Sequence, residues 1–139
     1  MENVIIGIYT KFTELVGGVH NTFYTSIGGR LYLEHAPQNT AYPYATYYLV
    51  TSTPYWVMSN QKDFEDAIIQ FNIYSENPSA VAEITGIATK CNALYHQTPL
   101  TITGYTHLWT NRSMQSLMRD EDDDWQYIIE FELGVRETS

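Results

Sequence analysis

The sequence predicts an α+β domain: a single, mostly antiparallel sheet of about four to five strands with two main helices packed on one face. Three observations lead there. Ala67, Ile69, Phe71 and Ile73 alternate with Asp66, Gln70 and Asn72, and Trp125, Tyr127, Ile129, Phe131, Leu133 and Val135 alternate with Gln126, Glu130 and Glu132, with Ile128 alone breaking the pattern. A period of two means strands with one face buried and one face wet. Two other segments space their apolar residues by three and four, the signature of amphipathic helices.

In chain order, Glu2 to Val16 puts Ile5, Ile8, Phe12 and Leu15 on one helical face, and Gly17-Gly18 supplies a stop. Val19 to Ser26 has no decisive period. Arg30 to Glu34 reads as a short strand ended by the turn-type cluster Ala36-Pro37-Gln38-Asn39. Pro43 opens a second strand, Tyr44 to Val50, rich in aromatic and β-branched residues. A loop from Pro54 to Gln61 carries Tyr55 and Trp56, and the third strand follows.

That strand ends at Ser75-Glu76-Asn77-Pro78, where Asn77 suits a helix N-cap and Pro78 the first helical position. Val81, Ile84, Ala88, Cys91 and Leu94/Tyr95 then form a helical stripe interrupted by Gly86, a residue costing about 1 kcal/mol against Ala unless close packing requires it. Pro99 to Asn111 is strand-like, with Gly104 as a possible bulge, and Asp120 to Asp124 precedes the closing strand.

A length of 139 residues fits one domain over 1–139 and a continuous core. One cysteine leaves no internal disulfide, so a reducing cytosol is the expected compartment. The N-terminal stretch lacks a basic region and is broken by Gly7, Thr10 and Lys11, unlike a signal peptide or anchor. Seven Lys and Arg face sixteen Asp and Glu, a net charge of -9. Stable nucleic-acid binding needs cations to displace counterions from phosphates, and this composition argues against it. Twelve tyrosines and three tryptophans suit protein interfaces, where an aromatic body buries area and keeps a polar tip, or equally a tyrosine-rich sheet with solvated hydroxyls.

No catalytic, cofactor-binding or metal constellation emerges. His20, His35, His96 and His107 lack metal-ligand spacing, and Gly28-Gly29-Arg30 lacks the flanks of a phosphate cradle. Cys91 lies on an apolar stripe, where burial without a cation disfavours the thiolate. The acidic run lacks the alternating ligands and turn glycine of a calcium loop. It reads as a solvated turn or charged interface rim, with a partner-specific contact and cation binding as alternatives.

Gly29-Arg30-Leu31-Tyr32, then Ala36-Pro37, then Tyr42-Pro43-Tyr44, resembles the opening of the tail-completion (tail-terminator) family of long-tailed, siphovirus-type bacteriophages. Phe71-Asn72-Ile73-Tyr74-Ser75 is similar to that family's central strand, and Met118-Arg119-Asp120 through Trp125-Gln126-Tyr127 to its acidic turn and closing strand. The extended segment Ser113 to Met118 departs from the pattern and leaves the pairing of the last two strands open. The resemblance implies a non-enzymatic virion part, made in the host bacterial cytoplasm. It would form a six-fold ring on the head-proximal end of the tail tube, stop tube growth and meet the head connector or stopper. The implied partners are other copies of the chain, the tube protein and the connector, with DNA passing through and no membrane or cofactor involved. A head-to-tail ring needs two different patches on each subunit. Arg30, Tyr32, Tyr55, Trp56, Asp120, Glu121, Asp122, Asp123 and Asp124 are the expected interface residues. The alternatives are a head-completion or tube-like ring subunit, a small ligand-binding or regulatory domain, and an enzyme with a dispersed site.

Overall fold

A computed structural model describes residues 2–55, 64–76, 81–119 and 124–138. Its elements are α1 (Glu2–Thr13), α2 (Thr22–Ser26), β1 (Leu31–Leu33), β2 (Tyr44–Tyr55), β3 (Phe64–Ser75), α3 (Val81–Tyr95), β4 (Tyr105–Arg119) and β5 (Trp125–Glu137). The strands form one five-stranded sheet in the order β1-β2-β3-β5-β4, so the fold is α+β as the alternation predicts. The sheet is mixed: β1 runs parallel to β2 over only Leu31–Leu33, and every other pairing is antiparallel.

Most residues predicted to face the core do so, whereas Leu15 and Val81 of the predicted helical stripes are exposed, Leu15 because α1 ends before it. Ala67, Ile69, Phe71 and Ile73 from β3 and Ile129, Phe131, Leu133 and Val135 from β5 are buried against Val4, Ile8 and Phe12 of α1, Phe23 of α2, and Ile84, Ile87, Ala88, Cys91 and Tyr95 of α3. Phe71 sits at the centre, its ring 5.0 Å from Tyr95, 5.7 Å from Phe131, 6.0 Å from Tyr47 and 6.2 Å from Phe23. Tyr95 resolves its burial by donating its hydroxyl to the Ile8 carbonyl at 2.9 Å, which ties α3 to α1. Burial, and then the neighbouring Tyr9, push the Tyr47 phenol up to about 12.

Several boundaries differ from the sequence expectation. Pro54 and Tyr55 belong to β2, not to a loop: the strand pairs with β3 through Tyr55↔Phe64 after a bulge between Leu49 and Thr51. Pro54 is tolerated because β2 is a free edge there, where no outer neighbour needs its missing N–H. α1 ends at Thr13, and the ambiguous segment contains α2, capped by Asn21, whose Oδ1 accepts from the Tyr24 N–H at 2.8 Å. Gly104, at φ +84, turns the chain before β4 and does not interrupt it. Ser113 to Met118 is strand, paired with β5 from Met114↔Glu130 to Met118↔Gln126, with bulges between His107 and Trp109 and between Arg112 and Met114. The expected cap at Asn77 and Pro78 lies outside the described residues.

Candidate assembly interface

The register sets where each end of the sheet points. Phe64 pairs with Arg136 and Ser75 with Trp125, so β3 and β5 run oppositely along their full length. The Tyr55/Phe64 end of β2 and β3 and the Arg119/Trp125 end of β4 and β5 therefore lie at opposite ends of the sheet, separated by strands of twelve or more residues, roughly 40 Å at 3.3 Å per residue.

At the β4–β5 end, Arg30 donates from Nε to the Pro43 carbonyl at 3.0 Å and from Nη2 to the Tyr42 carbonyl at 3.4 Å. Its guanidinium fills the space over Gly28, where a Cβ would come within 2.6 Å of Nη1. Arg30 thus fixes the strand entry that carries Tyr42 and Tyr44. Their rings lie 5.2 Å apart, and Tyr44 stacks on Tyr74 at 4.9 Å. The Tyr42 hydroxyl donates to Asp124 Oδ2 at 3.2 Å, joining this ladder to the last residue of the acidic run. A groove of about 530 Å³ runs between the ladder and residues 34–40, where Glu34 and Asn39 adopt positive φ. On the adjoining arm, the Arg119 guanidinium lies 4.7 Å above the Trp125 ring.

Of the expected interface residues, Arg30 and Asp124 are brought to this end, and Tyr32 lies beside Thr46 on the β1 edge. The Tyr55 backbone closes β2 at the other end. Trp56 and Asp120 to Asp123 lie outside the described residues.

Both outer edges of the sheet are partly unpaired among the described residues. β1 covers β2 only from Ala45 to Tyr47, leaving Tyr48 to Tyr55 bare. On the far side, the end of α3 seals the middle of β4: the Gln97 N–H donates to the Thr110 carbonyl at 2.7 Å, and the Arg112 N–H donates to His96 Nδ1 at 3.0 Å. Beyond it Ser113 to Arg119 is bare, with Met114, Leu117 and Met118 about two-fifths exposed. Bare edges invite pairing with another chain, and sequence reading missed both because edge status depends on topology.

Cys91 is fully buried and burial pushes its thiol well up, the opposite of an activated nucleophile. Among the described residues, no group of three or more His, Cys, Asp or Glu side chains could hold a metal ion, and no helix is long and apolar enough to cross a membrane.

Comparison with known proteins adds the following. A family profile described as tail completion protein gp17 matches residues 21–134. No curated protein sequence matches the chain. Among solved structures, a chain from the virion of a native gene transfer agent particle superposes with a TM-score of 0.75 at 11% identity, over 94% of this chain and 92% of that one. A second solved chain gives a TM-score of 0.63 at 11% identity, over 100% of this chain and 98% of that one. At that identity the two likenesses speak for the fold.

Proposed function

The chain belongs to the tail completion protein family of bacteriophages, a structural part of the phage tail, and on that footing we propose that it caps the head-proximal end of the tail tube as a closed ring. In that role it ends tube growth and offers its other face to the head connector or stopper. The observation that carries the ring is the pair of bare edges. In sheet order, β2 and β4 run in opposite directions, so copies related by rotation bring β4 of one against β2 of the next as an antiparallel pair.

The offset between the edges supports closure. Through the register, the middle of the bare β2 segment lies opposite Glu132 and Leu133 of β5, and the middle of the bare β4 segment opposite Ile128. That is a stagger of about 15 Å along the strands, against about 19 Å across four strands at 4.8 Å spacing. The resulting tilt of roughly 40° falls within the 35–45° that closed sheets adopt. The same register carries the Arg119 end of β4 toward Tyr32 and Arg30 of the neighbour. It sets the Tyr55 backbone against the start of the neighbour's bare segment. The two ends of the sheet, one at Tyr55 and Phe64 and the other at Arg119 and Trp125, then supply the two faces of the ring. With few cations, such a ring lets DNA slide through without gripping it.

Mixing the purified chain with capped and uncapped tail tubes, and imaging them, tests the reading. Binding to uncapped ends alone is expected. Indifference to tube ends, or normal-length joined tails in particles lacking the chain, contradicts it. Ser116→Pro and Leu117→Pro sharpen the test, because adjacent residues of an edge strand point their N–H groups alternately inward and outward. One substitution lowers the melting temperature; the other leaves it near wild type and still blocks capping.

A further inference from the structure

The most exposed aliphatic side chains among the described residues sit together, away from the strand edges. Leu15, Val16 and Val19, between α1 and α2, are 57%, 74% and 66% exposed. They are held on a built turn. Val16 and Val19 exchange both backbone hydrogen bonds, at 2.9 and 3.2 Å, across Gly17 and Gly18 at φ +62 and +78. Two consecutive positive φ values define a tight hairpin turn that glycine enters without strain. The base is pinned as well: Asn21 Nδ2 donates to the last-turn carbonyl of Phe12 at 2.8 Å while its Oδ1 caps α2. A rigid turn presenting three aliphatic side chains to water is a contact surface with its partner missing.

The surroundings of this knob say what the partner is. Beside it, a hollow of about 340 Å³ is lined by Leu94, by the flanks of Val16 and Val19, and by Lys11 and Glu14. Protrusion, hollow and one charge of each sign therefore share a single patch. A patch of that kind is complementary to its own copy across a two-fold axis, where each protrusion enters the other's hollow and each Lys11 faces the other's Glu14. The geometry points to a second copy of this chain as the occupant, in an isologous dimer through the α1–α2 turn that is separate from the strand edges. The three side chains offer on the order of 300 Å² per copy, well below the roughly 800 Å² per partner of a stable interface. The dimer is accordingly weak and reversible.

Sedimentation velocity over a concentration series, with amide chemical-shift mapping, tests this. The wild type self-associates to a dimer at high concentration, with shifts confined to Leu15–Asn21 and Leu94. V16D weakens association at least tenfold, with its melting temperature near wild type because the Val16 side chain is mostly in water. K11E and E14K each weaken it, and an equimolar mixture of the two forms a heterodimer at least tenfold tighter than either alone. A wild type that stays monomeric to about millimolar concentration overturns the proposal, as does V16D dimerising like wild type or a mixture no tighter than its components. Binding of the turn to neutral phosphatidylcholine vesicles, abolished by V16D without any dimer, assigns the knob to a lipid surface and also overturns it. Loss of tube capping with dimerisation intact, in whichever of Ser116→Pro and Leu117→Pro keeps the wild-type melting temperature, separates this result from the fate of the ring reading.

Discussion

The two faces of the sheet are built from the same strands and do different work. On one, Phe71, Ile69, Phe131 and Leu133 are sealed under three helices and packed ring against ring. On the other, the register aligns Ile68, Gln70, Asn72 and Tyr74 with Glu132, Glu130, Ile128 and Gln126, and no described helix covers them. Yet Thr46 and Asn72 on this open face are 3% and 7% exposed. The long side chains around them, with the Gln70 amide donating to Asn72 Oδ1 at 2.9 Å, shield them without a second layer. One face is a core; the other is a finished polar-aromatic surface, and the stability of the subunit rests on the first.

The largest expected effect tests that division. Phe71→Ala should cost about 3–5 kcal/mol in chemical denaturation, because it empties the centre of the aromatic cluster. Ile128→Ala on the open face should cost about 1 kcal/mol. Comparable losses would show that the open face is a second core.

Gly134 comes next. Trp109 lies over it from the neighbouring strand, and an added Cβ would fall 2.3 Å from the indole. Gly134→Ala should cost about 1–3 kcal/mol and shift the tryptophan fluorescence as the ring swings outward. An unchanged spectrum would show that the ring already samples the outward position. In the covering layer, a Cβ at Gly86 meets no atom of the described residues within 4 Å, so among them there is no close packing to explain this helix glycine. Gly86→Ala should stabilise by about 0.5–1 kcal/mol, read from the denaturation midpoint.

The smallest effect is electrostatic. Desolvation, then the charge of Lys11, lowers the His107 pKa, against a raising contribution from the Trp109 backbone, and the ring sits 2.6 Å from Thr110 Oγ1. The unfolded chain therefore binds this proton more readily than the folded one. The associated stability is present above the ordinary value of about 6.5 and is lost as pH falls through the lowered folded value. His107→Gln should flatten the pH dependence of the melting temperature in that window; an unaltered slope would place the titration elsewhere.

The covered face was legible in the sequence because burial on one side writes itself as alternation: β3 and β5 were readable residue by residue. The edges were not. β4 alternates poorly because Ser113 to Arg119 runs past the helices and has no buried side to encode, and its two bulges shift the phase. Pro54 reads as a breaker and so predicts a loop at Tyr55, whereas an edge strand accommodates it. Gly17-Gly18 predicts a helix stop, but α1 already ends at Thr13 and the glycines instead form the turn between Val16 and Val19; nothing local reveals that these valines stay in water. Arg30 is expected at an interface, whereas its described contacts are the Tyr42 and Pro43 carbonyls, thirteen residues or fewer away in sequence and not foreseeable from it.

The central claim is that the two bare edges close the ring on each other. Amide hydrogen exchange, measured on the free chain and on the chain bound to tail-tube ends, tests it most directly. The account predicts fast exchange of outward-pointing amides in Tyr48–Tyr55 and Ser113–Arg119 in the free chain, and joint protection of both segments on the tube. Binding with either segment still exchanging at its free rate would contradict it.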